Sequence, residues 1–305
     1  MISKKFSGVV VPMITPVKND LTIDTEAVAR IMHSFSLNGI HPLVLGTTGE
    51  SSSVGEKESL RFVEAAVASK GEGQCVDAGL VGNQVADLIK RGNQYIELGA
   101  DAVVATLPSY YILTPAQIIV FYTALADNVK GPVILYNIKA TTQMSIPLEV
   151  VDVLSNHPNI WGLKDSERDE ERMKQCIATY KSRADFSYFC GWGAQSAGSL
   201  ALGADGIVPS TGNIVPELYK QLMDAAKKGD FEMAQKFQEQ TDVVATLYQK
   251  GRTLGESLAA LKVMMHHKGI CGTTMMPPLT ELSAEESRQI ITLMTSLDPS
   301  NRGEI

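Results

Sequence analysis

One lysine and a scatter of hydroxyl groups carry the chemistry open to this sequence. Lys164 stands in NIWGLKDSERDEER (159–172), where an apolar run ends and a charged one begins. A lysine at the end of a buried strand is partly desolvated, which disfavours its ammonium form and frees the amine to attack a ketone carbonyl. The protonated imine so formed withdraws electrons, and an adjacent C–C bond can then break or form. The competing reading is a surface lysine paired with Asp165, Glu167 or Asp169.

Two further stretches suit a 2-oxo acid at such an imine. In GTTGE (46–50), Gly46 and Gly49 allow a tight turn with exposed amides, and Thr47 and Thr48 add hydroxyl donors, a natural cradle for a carboxylate. Taken alone it is also a glycine turn with threonine caps. Tyr136 closes the run PVILYN (132–137); its phenol, ordinarily titrating near about pH 10, can relay protons at the imine and at the scissile oxygen. A strand-end tyrosine is more often a packing residue, so the joint occurrence carries the weight.

These groups must be positioned by strands and helices. Eight short apolar runs recur along the chain: GVVVPM (8–13), PLVLG (42–46), CVDAGLV (75–81), DAVVATL (101–107), PVILYN (132–137), NIWGLK (159–164), FSYFCG (186–191) and DGIVPS (205–210). Each is bounded by Gly, Pro or polar residues, as strands buried on both faces should be. Helical spacing and capping signals lie between them, with a capping box at Ser53–Glu56 before a helix to about Lys70 and an N-cap at Thr114-Pro115. Ala27, Ile31, Phe35 and Leu37 trace one face of an earlier helix.

The even recurrence predicts an α/β fold, a (β/α)8 TIM barrel over 1–228, with a helical C-terminal region over 229–305 packed on it. Chemistry in a barrel sits at the C-terminal ends of the strands. There the sequence offers Thr15, Thr47 and Thr48, Tyr110 and Tyr111, Tyr136, Lys164, Gly191 and Ser210 in turn.

Composition narrows the class. The 305 residues are 44% hydrophobic and 20% charged, with a formal net charge of −7, which fits a globular protein with ample core. No Lys/Arg run is present, so nucleic acid and anionic membrane are poor partners, and no apolar run approaches a membrane span. Four scattered cysteines without a CxxC pair, and an N-terminus unlike a signal peptide, point to a reduced cytoplasmic chain. No HExxH, carboxylate–histidine cluster, P-loop or strand-following GxGxxG occurs, so neither a metal nor an organic cofactor is expected.

GTTGES with Glu58 following, YNI and GLKD in register resemble the family of N-acetylneuraminate lyase and dihydrodipicolinate synthase, pyruvate-handling class I aldolases. The similarity runs from about Gly8 to Pro216. It implies that Lys164 forms the Schiff base, that Tyr136 relays protons and that Thr47 and Thr48 bind the 2-oxo acid carboxylate. Tyr110 would extend the hydroxyl relay across a subunit contact, with Tyr111 as the alternative. Ser166, Gly191 and Ser210 would line the rest of the pocket. A homotetramer without cofactor is implied as well.

The stretch after YN separates the substrates. Synthases for dihydrodipicolinate resemble YN-x-P-x-R-T-G, whose arginine holds the carboxylate of the aldehyde partner; here Thr141 stands in that place and cannot form a bidentate clamp, with Lys139 nearby as a point charge. The sialic acid and 2-keto-3-deoxy sugar acid lyases are closer, although Lys139 and Gln143 replace their proline and glycine. CGWGA (190–194) lacks the acidic pair that N-acetylneuraminate lyases use, and Trp192 suits a smaller or less polar aldehyde. The expected function is a Schiff-base lyase cleaving a 2-oxo acid, such as a 2-keto-3-deoxy sugar acid or N-acetylneuraminate, to pyruvate and an aldehyde. Alternatives are a synthase condensing pyruvate with an aldehyde, a deoxy sugar acid dehydratase, and a non-catalytic barrel binding a small acid.

Overall fold

A computed structural model describes Lys4 and residues 6–297. Eight strands, β1 (Gly8–Pro12), β2 (Ile40–Val44), β3 (Asp77–Leu80), β4 (Ala102–Thr106), β5 (Val133–Asn137), β6 (Ile160–Asp165), β7 (Ser187–Cys190) and β8 (Gly206–Ile207), run in chain order around a closed parallel barrel. Closure sets Gly8 against Gly206 and Val9 against Ile207. A Cβ on Gly206 would stand 2.6 Å from both the Gly8 carbonyl and the Phe189 ring, so the seam needs a glycine.

All residues of β3, β4, β5 and β7 are buried, which is why these strands read as mainly apolar runs without a polar face. Alternate side chains serve two cores. Val10, Leu43, Val104, Ile134, Phe189 and Val208 fill the barrel, with Phe6 among them. Val9, Val11, Val103, Ala105 and Leu163 meet the surrounding helices.

Those helices are α1 (Thr25–Leu37), α2 (Glu56–Ala68), α3 (Val85–Glu97), α4 (Pro115–Asn128), the single turn α5 (Lys139–Thr142), α6 (Leu148–Leu154), α7 (Glu170–Tyr180), α8 (Ser196–Leu202) and α9 (Pro216–Lys227). Three more follow, α10 (Phe231–Gln249), α11 (Leu254–His267) and α12 (Ala284–Leu297). α10 packs on α8 and α9, and α11 on α10 and α12. Among the described residues no helix is long and apolar enough to cross a membrane.

Three local expectations fail for identifiable reasons. The Ser53–Glu56 capping box does not form: Gly55 is the N-cap of α2, without a side-chain bond, and Glu56 instead pairs with Lys90 of α3 at 2.8 Å. Thr114 does cap α4, in a reciprocal box with Gln117. Leu37 is not on the buried face of α1 but 68% exposed at its last position. β2 begins at Ile40, earlier than expected, because His41 and Pro42 interrupt its apolar pattern while staying in the sheet; the His41 ring accepts the Cys75 amide.

Candidate active site

β4, β5 and β6 set the chemistry side by side. In their parallel register Thr106 faces Tyr136, and Tyr136 faces Lys164. Lys164 is 4% exposed, and its Nζ stands 3.7 Å from the centroid of the Tyr136 ring. A cation over the face of a tyrosine is held by the ring's quadrupole, so the amine has a fixed seat without a carboxylate partner. The Tyr136 hydroxyl lies 3.3 Å from Thr47 Oγ1. Burial alone would push this phenol up; the Lys164 charge and hydrogen bonds with Thr47, Ser166 and Lys164 outweigh it and hold the phenol below its ordinary value.

The surface pairing considered for Lys164 is not formed, because its acidic neighbours are engaged elsewhere. Asp165 Oδ2 accepts from Arg172 Nε at 2.6 Å, and its Oδ1 accepts from Asn137 Nδ2 and the Glu167 amide. Glu167 accepts from Ser145 and Asn137 and pairs with Lys139 at 3.3 Å. Lys139 is thereby committed to Glu167. Asp169 caps α7 by accepting the Arg172 amide. Asn137 is the unforeseen keystone: 1% exposed, it joins β5, β6 and the Ile146 amide and so fixes the strand ends that carry Tyr136 and Lys164.

The GTTGE turn is held in an unusual backbone shape. Leu45 and Glu50 take left-handed φ values of 54° and 55°, which non-glycine residues adopt only where the surroundings impose them. Gly79 makes room for the turn, since a Cβ there would sit 2.0 Å from the Leu45 carbonyl. Thr15 Oγ1 donates to the Gly49 carbonyl. The Gly49, Glu50 and Ser51 amides are bonded within the turn, to Gly46 and Thr47 carbonyls, so these three amides are not open to a ligand. Glu50, not singled out from the sequence, accepts the Met276 amide and pairs with Lys262 of α11 at 2.5 Å, both side chains buried.

A groove of about 610 Å³ opens over this end of the barrel, lined by Thr47, Arg91, Thr106, Ser109, Thr141 and Leu258 among others. Thr47 joins the groove to the Tyr136 hydroxyl. Thr106 faces it with a buried hydroxyl that has no partner. The C-terminal region thus supplies a wall, through Leu254 and Leu258 of α11 and Leu279 of the loop that follows it.

The other expected residues divide. Thr48 is buried at 8% exposure inside the turn, beside Thr47. Thr141 lies on exposed α5 at the groove. Gly191 stands against Ser166, where a Cβ would come 2.2 Å from the Ser166 hydroxyl oxygen, so its lack of a side chain leaves Ser166 free to reach Tyr136. The Ser210 hydroxyl is 2.8 Å from the Tyr248 hydroxyl on α10, which also meets Thr211; its partner is a C-terminal tyrosine rather than the pocket. Tyr110 and Tyr111 are 77% and 72% exposed on the loop before α4, ring against ring at 4.9 Å, and within one chain neither reaches the other site residues.

The sequence profile described as the dihydrodipicolinate synthetase family matches residues 5–297. A 4-hydroxy-tetrahydrodipicolinate synthase of Xanthomonas campestris is 30% identical over 279 residues, 91% of this chain and 90% of the relative. A protein of Escherichia coli K12 named probable 2-dehydro-3-deoxy-D-pentonate aldolase YjhH is 28% identical over 297 residues, 96% of this chain and 98% of its own. YagE of Escherichia coli K12, a prophage protein of the dihydrodipicolinic acid synthase family solved in complex with pyruvate, superposes with a TM-score of 0.89 at 25% identity, covering 96% of this chain and 98% of YagE. The match along nearly the whole chain, on a barrel whose sixth strand presents a buried lysine to a tyrosine, makes this protein a member of the dihydrodipicolinate synthetase family of pyruvate-dependent, Schiff-base lyases and synthases.

Proposed function

We propose that Lys164 forms an imine with a 2-oxo acid and that the protein cleaves a 2-keto-3-deoxy sugar acid reversibly to pyruvate and an aldehyde. The observation that carries this is the seat of the Lys164 amine, buried over the Tyr136 ring while Asp165, Glu167 and Asp169 are bound to other groups.

The substrate carboxylate docks on Thr47 and Thr48. The Lys164 amine attacks C2, and Tyr136, held below its ordinary range, gives its proton to the carbinolamine oxygen, which leaves as water. The resulting phenolate takes the proton of the C4 hydroxyl as the C3–C4 bond breaks. The aldehyde departs, the electron pair rests in the enamine, and protonation at C3 followed by hydrolysis returns pyruvate and the free amine. Asn137 and Ser166 hold the strand ends and the phenol in place.

The name of the Escherichia coli relative, an aldolase of a 2-dehydro-3-deoxy-pentonate, supports a deoxy sugar acid. Condensation of pyruvate with an acidic aldehyde is a second reading, favoured by Arg91 on the groove wall. The Arg91 guanidinium, however, donates to the Val81 carbonyl, and exposed Thr141 offers no clamp. Incubation with 2-keto-3-deoxy sugar acids, N-acetylneuraminate and 4-hydroxy-2-oxo acids should release pyruvate from a deoxy sugar acid. Consumption of pyruvate with an acidic aldehyde and no release from any of these acids would favour the synthase.

The assembly is a homotetramer in this reading. Tyr110, Tyr111 and Ile112 form a contiguous apolar patch, 77%, 72% and 69% exposed, which suits a subunit contact through which Tyr110 could enter a neighbouring site. Four free cysteines support a cytoplasmic location.

A further inference from the structure

Asp77 opens β3 with its side chain inside the barrel. It is 6% exposed, and its Oδ1 has no hydrogen-bond partner. With Phe6, Val10, Val104, Phe189 and Lys164 it lines an interior cavity of 10 Å³, room for about one water molecule. Apart from the carboxyl and the amine the named walls are hydrocarbon. A carboxyl in such a place stays neutral unless a positive charge appears beside it.

The charges around Asp77 are few. Asp101 faces it from the segment before β4 but is held by Lys70 at 2.6 Å and by the Val76 amide. His41 on β2 accepts the Cys75 amide, and burial holds its ring below the ordinary range. Burial, reinforced by Asp101, pushes the Asp77 carboxyl up to about 7, against the pull of Lys70 and Lys164. Lys70 being committed to Asp101, Lys164 is the basic group that shares a cavity with Asp77.

We propose that Asp77 is the internal counter-charge of Lys164, giving up its proton as the imine nitrogen becomes charged and taking it back when the imine is hydrolysed. One amine, one C2 carbonyl and one proton yield one iminium and one water, and no oxidant enters. Tyr136 supplies that proton, so the carbinolamine oxygen leaves as the water, and the proton that Asp77 releases passes to solvent. The iminium then has a carboxylate partner inside the barrel, and the groove side stays free for substrate. Asp77 touches no substrate in this scheme; it is a positioning residue acting through Lys164. The proposal rests on the imine reading given above.

The test is the pH dependence of pyruvate trapping by cyanoborohydride, read by intact mass, in wild type, Asp77→Asn and Asp77→Leu, with far-UV circular dichroism checking the fold. Without the carboxylate the iminium loses its proton at lower pH, so the alkaline limb of trapping should move down by about one pH unit or more in both variants. An unmoved limb in folded variants would overturn the counter-charge while leaving the imine intact; no trapping in wild type at any pH would overturn the imine itself. A variant-independent measurement is the infrared spectrum of wild type carrying 13C-labelled aspartate at pH 6. Pyruvate should abolish one protonated-carboxyl stretch, and its persistence beside a trapped imine would contradict the proposal.

Discussion

The Glu50 carboxylate and the Lys262 ammonium meet at 2.5 Å with both side chains buried, which ties the GTTGE turn to α11. Glu50 also accepts the Met276 amide, and Lys262 donates to the Thr274 carbonyl, so one ion pair secures both the turn and the loop after α11. The C-terminal helices are therefore part of the site's support.

Removing one partner leaves a buried charge unmatched, which costs about 3–5 kcal/mol. Lys262→Met should lower stability by that amount in denaturant unfolding and weaken pyruvate binding. Glu50→Gln combined with Lys262→Met should recover part of the loss. Equal effects of the single and double variants would show that the pair does not hold the turn.

Tyr136→Phe removes the phenol and keeps the ring beneath Lys164. Turnover should fall by about 10²–10⁴-fold, the usual worth of a positioned acid–base group. Stability should fall by about 1 kcal/mol, because the buried hydroxyl's hydrogen bonds with Thr47, Ser166 and Lys164 are lost. Full activity in the phenylalanine variant would assign the relay to another group.

Asp77 makes a stability prediction apart from its proposed role. Its carboxyl titrates at about 7 in the folded chain against an ordinary 3.8, so between those values the folded state binds more protons than the unfolded. The stability this contributes is complete below 3.8 and is lost as pH rises through 7. Asp77→Asn abolishes the dependence, and wild-type stability minus that of the variant should fall by a few kcal/mol from pH 4 to 8 in parallel urea titrations. A difference independent of pH would contradict it.

The exposed Tyr110 and Tyr111 give a prediction about assembly. If the protein assembles as the proposed tetramer through this patch, replacing both by Asp should lower the sedimentation coefficient, and activity should fall with it if Tyr110 completes a neighbouring site. An unchanged sedimentation coefficient would move the subunit contact elsewhere.

The barrel was legible in the sequence because strands buried on both faces leave continuous apolar runs, and their even spacing admits few other folds. Lys164 and Tyr136 were legible as strand ends, and adjacent strands in register bring them together. Glu50 with Lys262, Ser210 with Tyr248, and Asn137 with Asp165 were not, since each joins segments far apart in the chain and no local pattern announces the partner. Asp77 was concealed inside CVDAGLV, where one carboxyl among apolar residues gives no sign of facing into the barrel. The capping box at Ser53 misled because the helix starts only at Glu56, with Gly55 rather than Ser53 as its N-cap.

The central claim is the identity of the nucleophile. Pyruvate with borohydride, followed by peptide mass spectrometry, should place the reduced adduct on Lys164, and Lys164→Ala should carry none while keeping its fold. An adduct on another lysine, or turnover that survives in Lys164→Ala, would contradict the account.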